Sequence, residues 1–341
     1  MKLSVLDQSV ALSGSGEDAA IRDTLVLAQY CEALGYERFW VSEHHSLPTI
    51  VGTAPEVLMA AIAARTTRIR IGSAGVMLPH YSALKVAEQF RVLEALAPGR
   101  IDLGVGRAPG GDMRTARALN PAASGAAEDF PQQVRDLQAW TALPSHQGIA
   151  AHPRGPFAPE VWILGSSDYG AQLAAHFGLP YAFAYFFTDG VGVEQALDLY
   201  RRLYQPSERH PLPQATVCVW ALAADSDDAA RHHALSRERW RADRQRGRLG
   251  PLQPPDVVAA QGFTAEEWTM VEAMRAKAFV GSASQVVAQL RKLGDELALD
   301  HVVVNTWAHD PQVRRHSYAL LAQGFGLRAA ALPSTETAPC K

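Results

Sequence analysis

The chain has 341 residues, 48% of them hydrophobic and 20% charged, with a formal net charge of −3. That length accommodates one large α/β domain or two ordinary ones with a large core. The near-neutral balance provides no field to gather nucleic acid or an anionic membrane, and no apolar run reaches the roughly 20 residues of a membrane span.

The N-terminus enters an apolar run at Leu3 and reaches Asp7 and Gln8 too soon for a secretion signal. Cys31, Cys218 and Cys340 lack metal-ligand spacing, which predicts reduced thiols and a cytoplasmic location. A first strand is predicted over residues 3–7, then a helix with Ile21, Leu25, Ala28 and Leu34 on one face. A second strand, 38–42, precedes a helix carrying Leu58 and Ile62, and a third, 69–74, precedes a helix that Ser82 caps. The fourth strand, 101–106, leads into segment 108–125, whose Pro109-Gly110-Gly111 and Asn120-Pro121 read as a loop. Strands over 161–164 and 181–183 alternate with helical patterns at 170–177 and 191–203. A seventh strand, 216–223, is followed by a long segment, 225–278. A helix headed by Ser282 or Ser284 then precedes the eighth strand, 301–306.

Several strands are apolar at consecutive positions, as at 217–219 and 302–304, which suits strands buried on both faces. The alternation predicts an α/β fold, a (β/α)8 TIM barrel with insertions after strands 4 and 7; a doubly wound open sheet is the competitor. Residues 1–328 then form one domain and 329–341, proline mixed with polar residues, a frayed tail. Residues 231–248 hold seven arginines. A solvated helix face is the plainer reading of them, and a mobile lid that meets an anionic ligand is the other.

Polar or glycine-rich residues recur where the apolar runs stop, as around one shared pocket. Glu43-His44-His45 ends the second strand; the two imidazoles are neighbours, so only one easily enters a pocket. His44 is then either a pocket group or a structural histidine under a loop. No further His or Cys stands at ligand spacing, so no metal is expected. Ser73-Ala74-Gly75 suits either a planar ring lying on backbone or a tight bend. Gly104-Val105-Gly106-Arg107 fails the dinucleotide fingerprint because its spacing is wrong and Pro109 follows. Its glycines admit a flat ligand, and Arg107 is either a fixed positive charge beside that ligand or half of an ion pair. Gly165-Ser166-Ser167 before a helix reads as an anion site or as a plain N-cap by Ser167 or Asp168.

Taken in order, Phe39-Trp40-Val41-Ser42-Glu43-His44-His45, Ile71-Gly72-Ser73-Ala74-Gly75-Val76-Met77-Leu78-Pro79, Gly99–Arg107, Trp162-Ile163-Leu164-Gly165-Ser166-Ser167 and Phe279-Val280-Gly281-Ser282 resemble the bacterial-luciferase-like, flavin-dependent monooxygenase family. The resemblance spans residues 1 to 325. It implies a barrel that binds reduced FMN as a dissociable cosubstrate, with His44 at the catalytic histidine position. It also implies a non-proline cis peptide at Ala74-Gly75 against the flavin, together with Ser73. Phosphate-binding positions fall on Arg107 and Ser167, with Gly165 and Ser166 completing the cradle. A reactive cysteine found beside the flavin in the light-emitting enzyme is replaced by Gly106, and a second phosphate-binding arginine has only Arg114 or Arg117 as substitutes. The activity implied is oxygenation of a small organic substrate by O2 through a C4a-hydroperoxyflavin. A separate NAD(P)H:flavin reductase supplies the reduced flavin. The alternatives are an F420-dependent hydride-transfer oxidoreductase on the same barrel, a non-catalytic flavin-binding protein, and a metal hydrolase using Glu43 and His44. A homodimer is expected, through alanine-rich helices such as residues 55–64.

Overall fold

Successive side chains of a strand turn to opposite faces, so residues two apart share a face. In the computed structural model, which describes residues 1–108 and 111–328, this parity runs round a closed parallel barrel. The strands are β1 (Lys2–Asp7), β2 (Arg38–Val41), β3 (Arg70–Met77), β4 (Ile101–Gly106), β5 (Glu160–Gly165), β6 (Tyr181–Phe183), β7 (Ala215–Ala224), β8 (Phe279–Ser282) and β9 (His301–Asn305). β1 to β7 pair in sequence order, and β9 lies between β7 and β1, which closes a ring of eight strands. The expected (β/α)8 barrel is therefore present, and the open doubly wound sheet is not. The expected tail, 329–341, lies outside the described residues.

Two expectations need correction. β8 is a further strand, paired with the far end of β7 from Ala221↔Phe279 to Ala224↔Ser282. At ten residues β7 outlasts its neighbours, and its end needs backbone partners. Segment 108–125 is not simply a loop, since it contains helices Met113–Leu119 and Ala123–Ala126. Asp112 caps the first by accepting the Thr115 amide at 2.7 Å, and the good helix formers that follow outweigh the glycine and proline ahead of them.

Inside the barrel, side chains stack in layers. The lowest is charged. Asp102, fully buried, accepts from Arg38 Nη1 at 3.0 Å, Trp40 Nε1 at 2.9 Å and Arg70 Nε at 2.9 Å. A buried carboxylate persists only with such pairing. Above it Leu6, Trp40, Trp162, Ala182, Cys218 and Val303 form an apolar plug, with the two indoles edge to face at 5.2 Å. Gly72 makes room for it, because a Cβ there would lie 2.5 Å from the Trp40 ring. The opposite parity, including Phe39, Ile71, Leu103, Ile163, Val217 and Val302, packs outward on the helices, so both strand faces are buried. The last helix, Pro311–Phe325, is tied back to β1 by Arg314, which donates to Asp7 at 2.9 Å. No helix among the described residues is long and apolar enough to cross a membrane.

Candidate active site

One step above the plug, at the C-terminal ends of the strands, lies a cavity of about 820 Å³. That size suits a cofactor with a small substrate. Leu6, Trp40, Leu164, Ala182 and Cys218 form its floor, and the strand ends and the turns that follow them bring Gln8, His44, Ala74, Gly106 and Ser166 to its walls. Burial pushes the Cys218 thiol pKa up.

Of the predicted residues, His44, Ala74, Gly75, Arg107, Gly165, Ser166 and Ser167 all border this cavity. Ser73 does not. It has the outward parity of β3, and its buried hydroxyl donates to the Gly104 carbonyl at 2.9 Å.

Glu43, His44 and His45 have different roles. Glu43 is buried and accepts from Tyr81 Oη at 2.7 Å and the Met77 amide at 3.0 Å, clamping the end of β2 to β3. His45 Nε2 lies 2.7 Å from the same carboxylate. Both histidines border the cavity, contrary to the alternation expected of an extended strand end, because the chain leaves strand geometry after Val41. His44, unlike His45, is not held by the Glu43 carboxylate. Its Nδ1 is 3.2 Å from Ser42 Oγ, its amide donates to Gly52 at 2.9 Å, and Nε2 has no hydrogen-bond partner among the described residues. Burial lowers its pKa to about 4, with Glu43 opposing and His45 and Arg244 assisting, so the ring is neutral at pH 7. No group of three His, Cys, Asp or Glu residues is arranged for a metal among the described residues.

The peptide bond between Ala74 and Gly75 is cis. Gly75 fits where a Cβ would lie 2.7 Å from the Gly104 carbonyl oxygen, whereas a Cβ on Gly106 would meet nothing within 4 Å. The wall from β3 to β4 is therefore mostly backbone, which a flat ring system can lie against. At the β4–β5 rim the Arg107 guanidinium stacks 3.9 Å over the Tyr169 ring and has no carboxylate partner among the described residues. Ser167 is at the N-cap of helix Asp168–His176 but makes no side-chain cap bond, so its hydroxyl is free to meet a ligand. Asp168 accepts from Gln195 at 2.6 Å and does not border the cavity, which removes its charge from any anion held there. Arg114 and Arg117 do not border it either. An apolar floor, a backbone wall and a rim with an unpaired cation fit a flavin mononucleotide.

Sequence reasoning missed Gln8. The arginines of 231–248, expected as a solvated face or as a lid for an anionic ligand, divide: Arg231, Arg244, Arg246 and Arg248 are exposed, and Arg237, Arg239 and Arg241 are not. Arg239 and Arg246 pair with Glu267, Arg248 with Asp243, and Arg241 with Asp189, while Arg244 borders the cavity. The spacing of Arg237, Arg241 and Arg244, on one helical face, was the available signal.

The model of the luciferase-like monooxygenase family matches residues 1–301. A luciferase-like monooxygenase of Escherichia coli (strain K12) is 40% identical over 318 residues, covering 93% of this chain and 95% of that protein. N-acetyl-S-alkylcysteine monooxygenase of Bacillus subtilis (strain 168) is 36% identical over 334 residues, covering 94% and 97%. Among solved structures, apo-MsnO8 is 35% identical, with a TM-score of 0.90 over 96% of this chain and 98% of that one.

Proposed function

The chain belongs to the luciferase-like monooxygenase family, and we propose that it oxygenates a small organic substrate with O2, taking reduced FMN as a dissociable cosubstrate. The observation that carries this reading is the pairing of a backbone wall with the unpaired Arg107 and free Ser167 hydroxyl at one rim of the cavity. Bound reduced FMN would supply the electrons that activate O2.

The chain's own residues hold, seat and shield. Arg107, the hydroxyls of Ser166 and Ser167 and the first amides of helix Asp168–His176 hold the phosphate. Backbone at Ala74, Gly75 and Gly106 seats the ring. The apolar plug keeps water from the inner face, and in a dry site every fixed charge acts more strongly. His44 is neutral and offers Nε2 to accept a proton or a hydrogen bond from the reacting group. Because the glycine pattern at β4 is not a nicotinamide fingerprint, a separate NAD(P)H:flavin reductase is the source of reduced flavin. A two-fold dimer completes the reading, and sedimentation at micromolar concentration tests it.

The deciding experiment is anaerobic titration with reduced FMN and with reduced F420, followed by mixing with O2. Tight FMN binding and substrate-dependent O2 consumption are expected. Turnover with F420 in the absence of O2 would establish a hydride-transfer enzyme instead. FMN binding with no oxygen-dependent step would leave a carrier.

A further inference from the structure

We propose that the substrate is an organic acid whose anionic head is held by Arg237 and Arg244 in a side chamber next to His44, with its apolar body directed into the main cavity. The inference rests on the reading of the cavity as an oxygenase site and adds the class of substrate.

Helix Asp227–Gln245 presents Arg237, Arg241 and Arg244 on one face to a chamber of about 120 Å³. The chamber shares Gln8, His44, Leu47 and Phe186 with the main cavity, so the two adjoin. Arg241 is already engaged, through two bonds to Asp189 at 2.7 and 2.8 Å. Arg237 and Arg244 have no carboxylate partner among the described residues; each rests on an indole, 3.9 Å over Trp220 and 5.4 Å over Trp240. Of the other arginines of 231–248, Arg239 and Arg246 pair with Glu267 and Arg248 with Asp243, while Arg231 is exposed away from the chamber and makes no ion pair among the described residues. Among the three guanidiniums that line the chamber, Arg237 and Arg244 are thus left without a carboxylate.

The chamber's field is positive. Burial and the neighbouring Arg241 lower the pKa of Arg237, and Arg244 adds to the lowering at His44. An oxyanion between the two guanidiniums relieves both effects. Trp220 itself lines the chamber beside Arg237. Trp307, Phe186 and Phe187 provide apolar surface beyond the head group.

This anion site is not the phosphate site. Arg107 and Ser167 follow β4 and β5, whereas Gln8, Asn305 and Trp307 of the chamber lie at the ends of β1 and β9, three to four strands away round a ring of eight. One anion cannot occupy both.

Trp220, Trp240 and Trp307 border the chamber, so tryptophan fluorescence of the full chain reads its occupancy without turnover. Hexanoate and the uncharged hexanamide are titrated with and without FMN. Hexanoate is expected to bind at least ~10-fold more tightly than hexanamide. Arg237→Met and Arg244→Met should each reduce that preference ~10-fold while FMN affinity stays unchanged; Arg244 is exposed, so its variant tests the idea even if the Arg237 variant misfolds. Equal binding of acid and amide, or a folded Arg244→Met that keeps the full preference, would overturn the proposal. Loss of FMN binding with the hexanoate preference intact would remove the flavin reading and leave this site standing.

Discussion

Arg107→Met keeps an unbranched apolar stem but removes the guanidinium, and with it the charge and the stacking on Tyr169. Arg107 is exposed at the cavity rim, so its interaction with a phosphate lies nearer the aqueous than the buried limit. At 4 Å a unit pair is worth about 1 kcal/mol in water and about 4 kcal/mol at an effective dielectric of about 20. A hydrogen bond to a charged group contributes about 1.5–3 kcal/mol. A loss of about 2 kcal/mol follows, which is roughly 30-fold in affinity. The assay is quenching of flavin fluorescence, with FMN and riboflavin titrated in parallel. Riboflavin has the same ring and no phosphate, so its affinity should change by less than about twofold, the usual scale for an exposed substitution. The FMN effect should also shrink as salt rises. Equal losses for FMN and riboflavin would mean that Arg107 supports the ring or the fold, and unchanged FMN affinity would mean that the phosphate lies elsewhere.

Ser167→Ala should weaken FMN binding by about tenfold or more, since one hydrogen bond to a charged group is worth about 1.5–3 kcal/mol. It should leave the melting temperature unchanged, because Ser167 makes no side-chain cap bond; calorimetry separates the two effects. Asp102→Asn leaves Arg38 and Arg70 without their buried counter-charge and should cost about 3 kcal/mol, read as a fall in the denaturant midpoint. His44→Ala should cut turnover by roughly 10²-fold with FMN affinity nearly intact. His44 also links folding to pH. Its folded pKa of about 4 lies below the ordinary 6.5, so the unfolded chain binds the extra proton between those values. Stability is therefore full above pH 6.5 and falls by up to about 3 kcal/mol as pH drops to 4. His44→Gln should flatten that part of the stability profile.

The eight barrel strands were legible because apolar runs and glycine-rich strand ends are local signals. Which of His44 and His45 enters the cavity was not legible, because the chain leaves strand geometry after Val41 and both border it. The run Gly72-Ser73-Ala74-Gly75 was less informative, since four small residues do not reveal which pair faces in, and Ser73 faced the helices. Hydrophobic pattern alone hid β8, whose four residues only become a strand because β7 is long enough to need a partner. The arginines of 231–248 were only partly legible for a related reason. Their carboxylates, Asp189 and Glu267, lie in other parts of the chain, and only the folded arrangement shows which guanidiniums remain without one.

Cys218 forms part of the cavity floor with its thiol pKa raised by burial. Oxidants attack thiolates far faster than thiols, so this sulfur is chemically quiet in its resting state. If the proposed reaction with O2 takes place above that floor, a small, soft sulfur can sit beneath it without being worn out. Slow alkylation of Cys218 by iodoacetamide at neutral pH, accelerating only on unfolding, would be the mark of that durability.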